Sequence, residues 1–203
     1  MKIICIGLNY KSHIEELGKA IPALPVFFLK PETALTTRNR PFFYPDFSNN
    51  IHYEVELVVR INKLGKHIQK KFAHTYYDEI GLGIDFTARD IQAEVFKNAL
   101  PWEISKAFDG SAVVNRFLPK KQFEDLKNIN FSLLKNNQLV QQGNTADMLF
   151  SIDEIIAHIS QFITLKIGDL IFTGTPCGIG KVEIGDELEG VLENEVMFKC
   201  RVK

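Results

Sequence analysis

Two carboxylates with one residue between them offer the first chemistry in this chain. The segment Ile51-His52-Tyr53-Glu54-Val55-Glu56-Leu57-Val58-Val59-Arg60-Ile61 is apolar at every odd position, the alternation of a strand with one buried face. Glu54 and Glu56 then share the opposite face. Like charges on adjacent same-face positions repel unless water or a cation screens them, so the pair is a candidate seat for a divalent ion. The plain alternative is two carboxylates on the wet face of an antiparallel strand. A third carboxylate, Asp85, lies within the apolar run Ile80-Gly81-Leu82-Gly83-Ile84-Asp85-Phe86, where an unpaired charge is costly to bury and needs a partner. Capping or turn formation ahead of Thr87 competes with metal ligation for this residue. Three carboxylates without a thiolate would select a hard ion, Mg2+ or Mn2+, over zinc.

His13 and Glu16 stand three residues apart in a short helical stretch, a spacing that lets them share a proton and activate water. A solvated helix face is the competing reading. Gly18, Pro22 and Pro25 follow closely and suggest a segment able to act as a lid. Lys106, in Trp102-Glu103-Ile104-Ser105-Lys106-Ala107-Phe108-Asp109-Gly110, and the loop Thr173-Gly174-Thr175-Pro176-Cys177-Gly178-Ile179-Gly180 could each hold an anion; a surface lysine and an ordinary turn are the alternatives. Neither is a nucleotide motif, because the phosphate-loop signature is missing and Gly81-x-Gly83 lacks a third glycine.

The elements that must position these groups are mostly strands. Residues 3–6, 26–29, 51–61, 80–86, 129–134, 170–172, 187–192 and 196–202 are rich in Phe and β-branched residues, as pleated surfaces prefer. Three capping-box patterns, Ser12-x-x-Glu15, Thr87-x-x-Asp90 and Ser151-x-x-Glu154, predict helix starts. The third leads into Ile152, Ile155, Ile156, Ile159 and Phe162, a helical apolar stripe that should pack on a sheet. Strands and short helices out of strict alternation predict an α+β fold. With 203 residues and no linker-like stretch, one domain over residues 1–203 suffices. A net charge of -1 gives no field for gripping nucleic acid. No apolar run is long enough to suggest a membrane span. Cys5, Cys177 and Cys200 form no CxxC pair; they read as small buried hydrophobes of a reducing, cytoplasmic setting.

Taken in order, the blocks Gly7-Leu8-Asn9-Tyr10 with His13-x-x-Glu16, Phe28-Leu29-Lys30-Pro31, His52-Tyr53-Glu54-Val55-Glu56-Leu57, Asp85-Phe86-Thr87-Ala88-Arg89-Asp90-Ile91-Gln92, Pro101-Trp102, Lys106-Ala107-Phe108-Asp109 and Thr173-Gly174-Thr175-Pro176-x-Gly178 resemble the fumarylacetoacetate hydrolase family, in its short acylpyruvase-like form. The resemblance covers nearly the whole chain. It implies a mixed β-sandwich roll, commonly a homodimer. It implies that Glu54, Glu56 and Asp85 ligate Mg2+ or Mn2+, that His13 and Glu16 activate water on a mobile lid, and that Lys106 supports a developing enolate. Arg89, Gln92 and Thr175 fall where relatives contact the substrate carboxylate, with Lys30 as a further pocket residue. The implied reaction is hydrolysis of the carbon–carbon bond of a 2,4-dioxo acid to pyruvate and a carboxylic acid. Oxaloacetate decarboxylation, enol tautomerisation and isomerisation of an unsaturated oxo-dicarboxylate use the same metal-enolate site, and a metal-stabilised binding module without turnover is the reading from another class. The chain departs from the family pattern at Leu8, where many relatives carry Arg.

Overall fold

The computed structural model describes residues 1–203. In chain order the elements are β1 (Ile3–Gly7), α1 (Lys11–Glu16), β2 (Val26–Lys30), β3 (Leu35–Thr36), β4 (Ile51–Tyr53), β5 (Val55–Ile61), α2 (Lys70–Ala73), β6 (Tyr77–Asp85), β7 (Thr87–Ala88), α3 (Arg89–Lys97), α4 (Glu103–Lys106), β8 (Ala112–Pro119), β9 (Asn130–Lys135), β10 (Gln138–Asn144), α5 (Ile152–Phe162), β11 (Leu170–Phe172), β12 (Gly180–Lys181), β13 (Glu187–Leu192) and β14 (Glu195–Arg201). A seven-stranded sheet runs β2-β1-β11-β5-β6-β8-β3, a four-stranded sheet β10-β9-β13-β14 and a small one β12-β4-β7. The first is mixed: β1 runs parallel to β11 and β3 to β8, while the other neighbours are antiparallel. The four-stranded sheet packs across it, with β14 against β6 and β8, and Leu57, Leu82, Leu133, Leu188 and Phe198 belong to the core between them. This is the α+β fold that the element pattern predicts and the mixed β-sandwich roll that the family resemblance implies.

The two central strands break where the chemistry sits. Residues 51–61, expected as one strand, form two, because β4 pairs in the small sheet and β5 in the large one with Glu54 at the switch. The segment paired with it switches at the same level: β6 ends at Asp85 and β7 begins at Thr87, and the Asp85 amide donates to the Glu54 carbonyl at 2.8 Å. One bend in this ribbon therefore brings both carboxylates to the same place. Gly83, opposite Glu56 in the register, permits the close packing behind it; a Cβ there would lie 2.5 Å from the Val113 carbonyl and 2.7 Å from the Phe172 ring.

Helix α5 follows its pattern. Ser151 and Glu154 form a reciprocal capping box, and Ile152, Ile155, Ile156 and Ile159 are buried, each such side chain contributing about 1.5–3 kcal/mol by burial. The other two boxes do not form. Helix α1 starts two residues earlier, with Tyr10 rather than Ser12 at its N-cap and no side-chain cap, and α3 starts at Arg89 behind Ala88. Thr87 is drawn away because its hydroxyl donates to Glu54 Oε1 at 3.1 Å. Strands β8 and β10 lie outside the predicted set, since Asn115 and Arg116 interrupt the first and Gln138, Gln141 and Gln142 make the second polar. Cys177 is exposed, against expectation, whereas Cys5 and Cys200 are buried. No helix is long and apolar enough to cross a membrane.

Candidate active site

Glu54, Glu56 and Asp85 converge, each offering one oxygen within 4.8 Å of the others, and all three are buried. The wet-face reading of Glu54 and Glu56 is thereby overturned: β5 is covered on both sides. Positive side chains enter the same space. Lys106 Nζ, carried on α4, donates to Glu54 Oε2 at 2.8 Å, Asp85 Oδ2 at 2.9 Å and Thr87 Oγ1 at 2.6 Å. Arg89 at the start of α3 donates to Glu54 Oε1 and, through its other terminal nitrogen, to Gln92 Oε1 at 2.5 Å. Lys106 is buried, so it is not the surface cation that its residue type first suggests.

Charge is unevenly settled within the triad. Burial alone would raise the Glu54 carboxyl, but Lys106 and Arg89 outweigh it and hold the group well below the usual carboxylate range. Glu56 is pushed well above that range by burial and by its neighbours Asp85 and Glu54. Its one close donor is the Gly174 amide, 2.7 Å from Oε2. Asp85 Oδ1 is paired with Lys30 Nζ at 2.6 Å. A hard divalent cation fits this donor set: it would draw together three buried carboxylates that disfavour one another's charge and supply Glu56 with the countercharge it lacks.

His13 is 5% exposed, which removes the solvated-face reading for this residue. Its Nδ1 is 2.9 Å from Glu16 Oε2; because a carboxylate only accepts, Nδ1 carries the hydrogen and Nε2 is left as the basic nitrogen. Glu16 is itself exposed but anchored, its Oε1 accepting the Gly178 amide at 3.0 Å. A cavity of about 480 Å³ joins these groups. His13, Glu54, Glu56, Asp85, Arg89, Gln92, Lys106 and Thr175 line it, and Leu8, Leu17, Phe28, Phe96, Leu100 and Trp102 form an apolar wall. The segment after α1 covers one side through Leu17 and Lys19.

Eight of the ten expected site residues thus line one cavity, with Glu16 behind His13 and Lys30 behind Asp85. Lys30 is the exception in role. It does not line the cavity; its ammonium is 2% exposed as a residue and sits behind Asp85, donating to Ser111 Oγ at 2.9 Å and to the carbonyls of Lys106 and Ser111. It is a buried counter-ion of Asp85 rather than a pocket residue. Sequence reasoning passed over three participants. Thr87 bridges Lys106 and Glu54, Asn9 ties the Thr173 carbonyl to Phe150 through bonds of 2.8 to 3.1 Å, and Gln141 reaches Thr175. Asn9 lies in the block Gly7-Leu8-Asn9-Tyr10, which carries part of the family resemblance, whereas Gln141 lies in a polar run with no signal.

Comparison with known proteins agrees with this geometry. The family model described as fumarylacetoacetate (FAA) hydrolase C-terminal matches residues 2–202. Oxaloacetate tautomerase FAHD1, mitochondrial, of Mus musculus is 40% identical over 201 residues, covering 99% of this chain and 91% of its own. Oxaloacetate tautomerase YcgM of Escherichia coli is 42% identical over 188 residues, 92% of this chain and 86% of its own. Among solved structures, fumarylpyruvate hydrolase from Pseudomonas aeruginosa in complex with Mn2+ and pyruvate superimposes with a TM-score of 0.93 at 33% identity, covering 100% of this chain and 89% of that one. A whole-length match of model, sequence and fold around an intact acidic triad places the chain in the fumarylacetoacetate hydrolase family.

Proposed function

We propose that residues 1–203 form one catalytic domain that interconverts the keto and enol forms of oxaloacetate at a divalent-metal site. The observation that carries the reading is the meeting of a buried carboxylate triad with a histidine whose second ring nitrogen is uncommitted, in one cavity. The names of the relatives support oxaloacetate as substrate. Glu54, Glu56 and Asp85 would hold Mg2+ or Mn2+, which would supply Lewis acidity toward a bound 2-oxo acid. His13 Nε2 removes a proton from C3, and Glu16 steadies the imidazolium that forms. Lys106 offers positive charge to the oxygen on which enolate charge develops; the His13 imidazolium returns its proton to that oxygen to complete the enol, leaving the histidine neutral, and the reverse path regenerates the ketone. Arg89, Gln92 and Thr175 supply donors for the carboxylate.

The test follows loss of the enol absorbance of oxaloacetate with metal-stripped protein, with and without Mn2+. Metal-dependent acceleration should vanish in Glu54→Ala and fall about 100-fold in His13→Ala. No acceleration by the Mn2+-loaded wild type would overturn the proposal.

The apolar wall favours a second reading. Leu8, where a cation would meet a second carboxylate, instead presents a leucine to the cavity, which suits a neutral acyl group and hence hydrolysis of an acylpyruvate. In that reaction His13 activates water against the distal carbonyl carbon, and the products are pyruvate and a carboxylic acid. Pyruvate release from acetylpyruvate tests it. His13→Ala should suppress that release far more than oxaloacetate decarboxylation, which needs no attacking water; equal losses would remove the water-activating role. A homodimer belongs to the same proposal, and sedimentation at a monomer mass would refute it.

A further inference from the structure

The loop after β11 meets the site at three points. Its Gly174 amide holds Glu56 and its Gly178 amide holds Glu16, while Thr175 between them lines the cavity and is 4% exposed. One side chain fastens this stretch to the carboxylate-bearing strand. Gln141 on β10, 2% exposed, accepts the Val55 amide on Oε1 at 2.9 Å and donates from Nε2 to the Pro176 carbonyl at 3.0 Å and to Thr175 Oγ1 at 2.9 Å. Val55 is the residue between Glu54 and Glu56.

Two of these partners leave the carboxamide no choice of orientation. A backbone amide only donates and a backbone carbonyl only accepts, so Val55 must face the oxygen and Pro176 the nitrogen. Thr175 Oγ1 therefore meets a donor and must accept. Its own hydrogen has to point elsewhere, and the hydroxyl donates to no group of the protein; the open direction is the cavity.

We propose that Gln141 is a positioning residue that fixes the Thr175 hydroxyl as a hydrogen-bond donor toward an anionic group bound in the cavity. The same carboxamide sets the distance between the strand carrying Glu54 and Glu56 and the loop whose amides hold Glu56 and Glu16. This inference rests on the reading of the cavity as a 2-oxo acid site, and it adds a residue that reaches the ligand only through Thr175.

Pyruvate binding to the Mn2+-loaded full chain, measured by titration calorimetry, tests it with a double-mutant cycle. Thr175→Val removes the hydroxyl in a near-isosteric side chain. Gln141→Glu keeps an acceptor for Val55 but turns a second acceptor toward Thr175, so the hydroxyl rotates to donate backward. Each variant should weaken pyruvate about 10- to 100-fold, the range for a hydrogen bond to a charged group. The double variant should bind within about 2-fold of the weaker single, and Mn2+ affinity should stay within about 3-fold of wild type throughout. Multiplying losses, or unchanged pyruvate affinity in Gln141→Glu while Thr175→Val loses it, would overturn the role of Gln141 alone. Failure of wild type to bind pyruvate would overturn the underlying 2-oxo acid reading as well. Should Gln141→Glu not fold, Gln141→Met supplies the same cycle: it lacks the donor that orients the hydroxyl, and the same non-additivity with Thr175→Val is expected.

Discussion

At the scale of single residues, Leu8 puts an apolar side chain in the cavity wall where a cation would change what can bind. It lines the pocket with φ at 58°, a left-handed backbone that a branched or long side chain tolerates only when its surroundings impose it. Asn9 supplies that constraint through its bonds to Phe150 and Thr173. Because the backbone is held by its neighbour, Leu8→Arg should leave the fold intact while placing a guanidinium in the apolar wall. The expected outcome is a fall in KM for oxaloacetate of about 10-fold, with acetylpyruvate turnover reduced, since a charge-assisted pair to a second carboxylate is worth about 1.5–3 kcal/mol. Steady-state kinetics on both substrates check it; equal effects on the two would refute a specificity role. Much of this chemistry was legible before the structure. The Glu54 and Glu56 spacing, the carboxylate in an apolar run at Asp85 and the His13 to Glu16 offset each carry a local pattern. Gln141 carries none, because its importance arises from contacts across 34 to 86 residues of sequence.

Elements show the same division between local and remote causes. Helix α5 was readable from Ser151, Glu154 and four isoleucines because both its cap and its stripe are local. The starts of α1 and α3 were not, since Thr87 answers to Glu54 and Lys106 rather than to its own helix. The switch of sheets at Glu54 also escaped the alternation rule, because Tyr53 and Val55 keep the apolar pattern on both sides of the break. For α5, Ser151→Ala should cost about 1 kcal/mol in urea unfolding, the usual loss of an N-cap. The Glu154 carboxyl is lowered to about 2, first by Lys70 and then by Ser151. A group depressed in the folded state stabilises above its unfolded value, about 4.3, and loses that contribution as pH falls toward its folded value. The urea midpoint should therefore drop between about pH 4.3 and pH 2, and Glu154→Gln should flatten part of that slope. An unchanged slope in the variant would show that other carboxylates govern acid unfolding.

At the scale of the whole molecule, the fold concentrates its least comfortable charges where the two sheets meet. Three carboxylates share a buried space with Lys106, Arg89 and Lys30, and Glu56 is the member that burial and its acidic neighbours strain most. Burying charge in this way is poor design for stability alone, so function and stability should respond in opposite directions when Glu56 is neutralised. In metal-stripped protein, Glu56→Gln replaces a carboxyl whose ionisation is opposed by burial, Asp85 and Glu54 while keeping an acceptor for the Gly174 amide, and at pH values high enough to ionise the wild-type group its melting temperature should rise above wild type. Adding Mn2+ should reverse the order. A ligand present at about 100 times its dissociation constant stabilises a folded protein by about 2.7 kcal/mol, or roughly 5–10 °C for a chain of this size. Wild type should gain that shift and Glu56→Gln little of it, and a chelator should abolish it in both. Parallel melting curves with chelator and with Mn2+ read both signs in one experiment. A variant less stable than wild type without metal would mean that Glu56 serves the fold. A variant that keeps the full Mn2+ shift would mean that the ion is held by other groups.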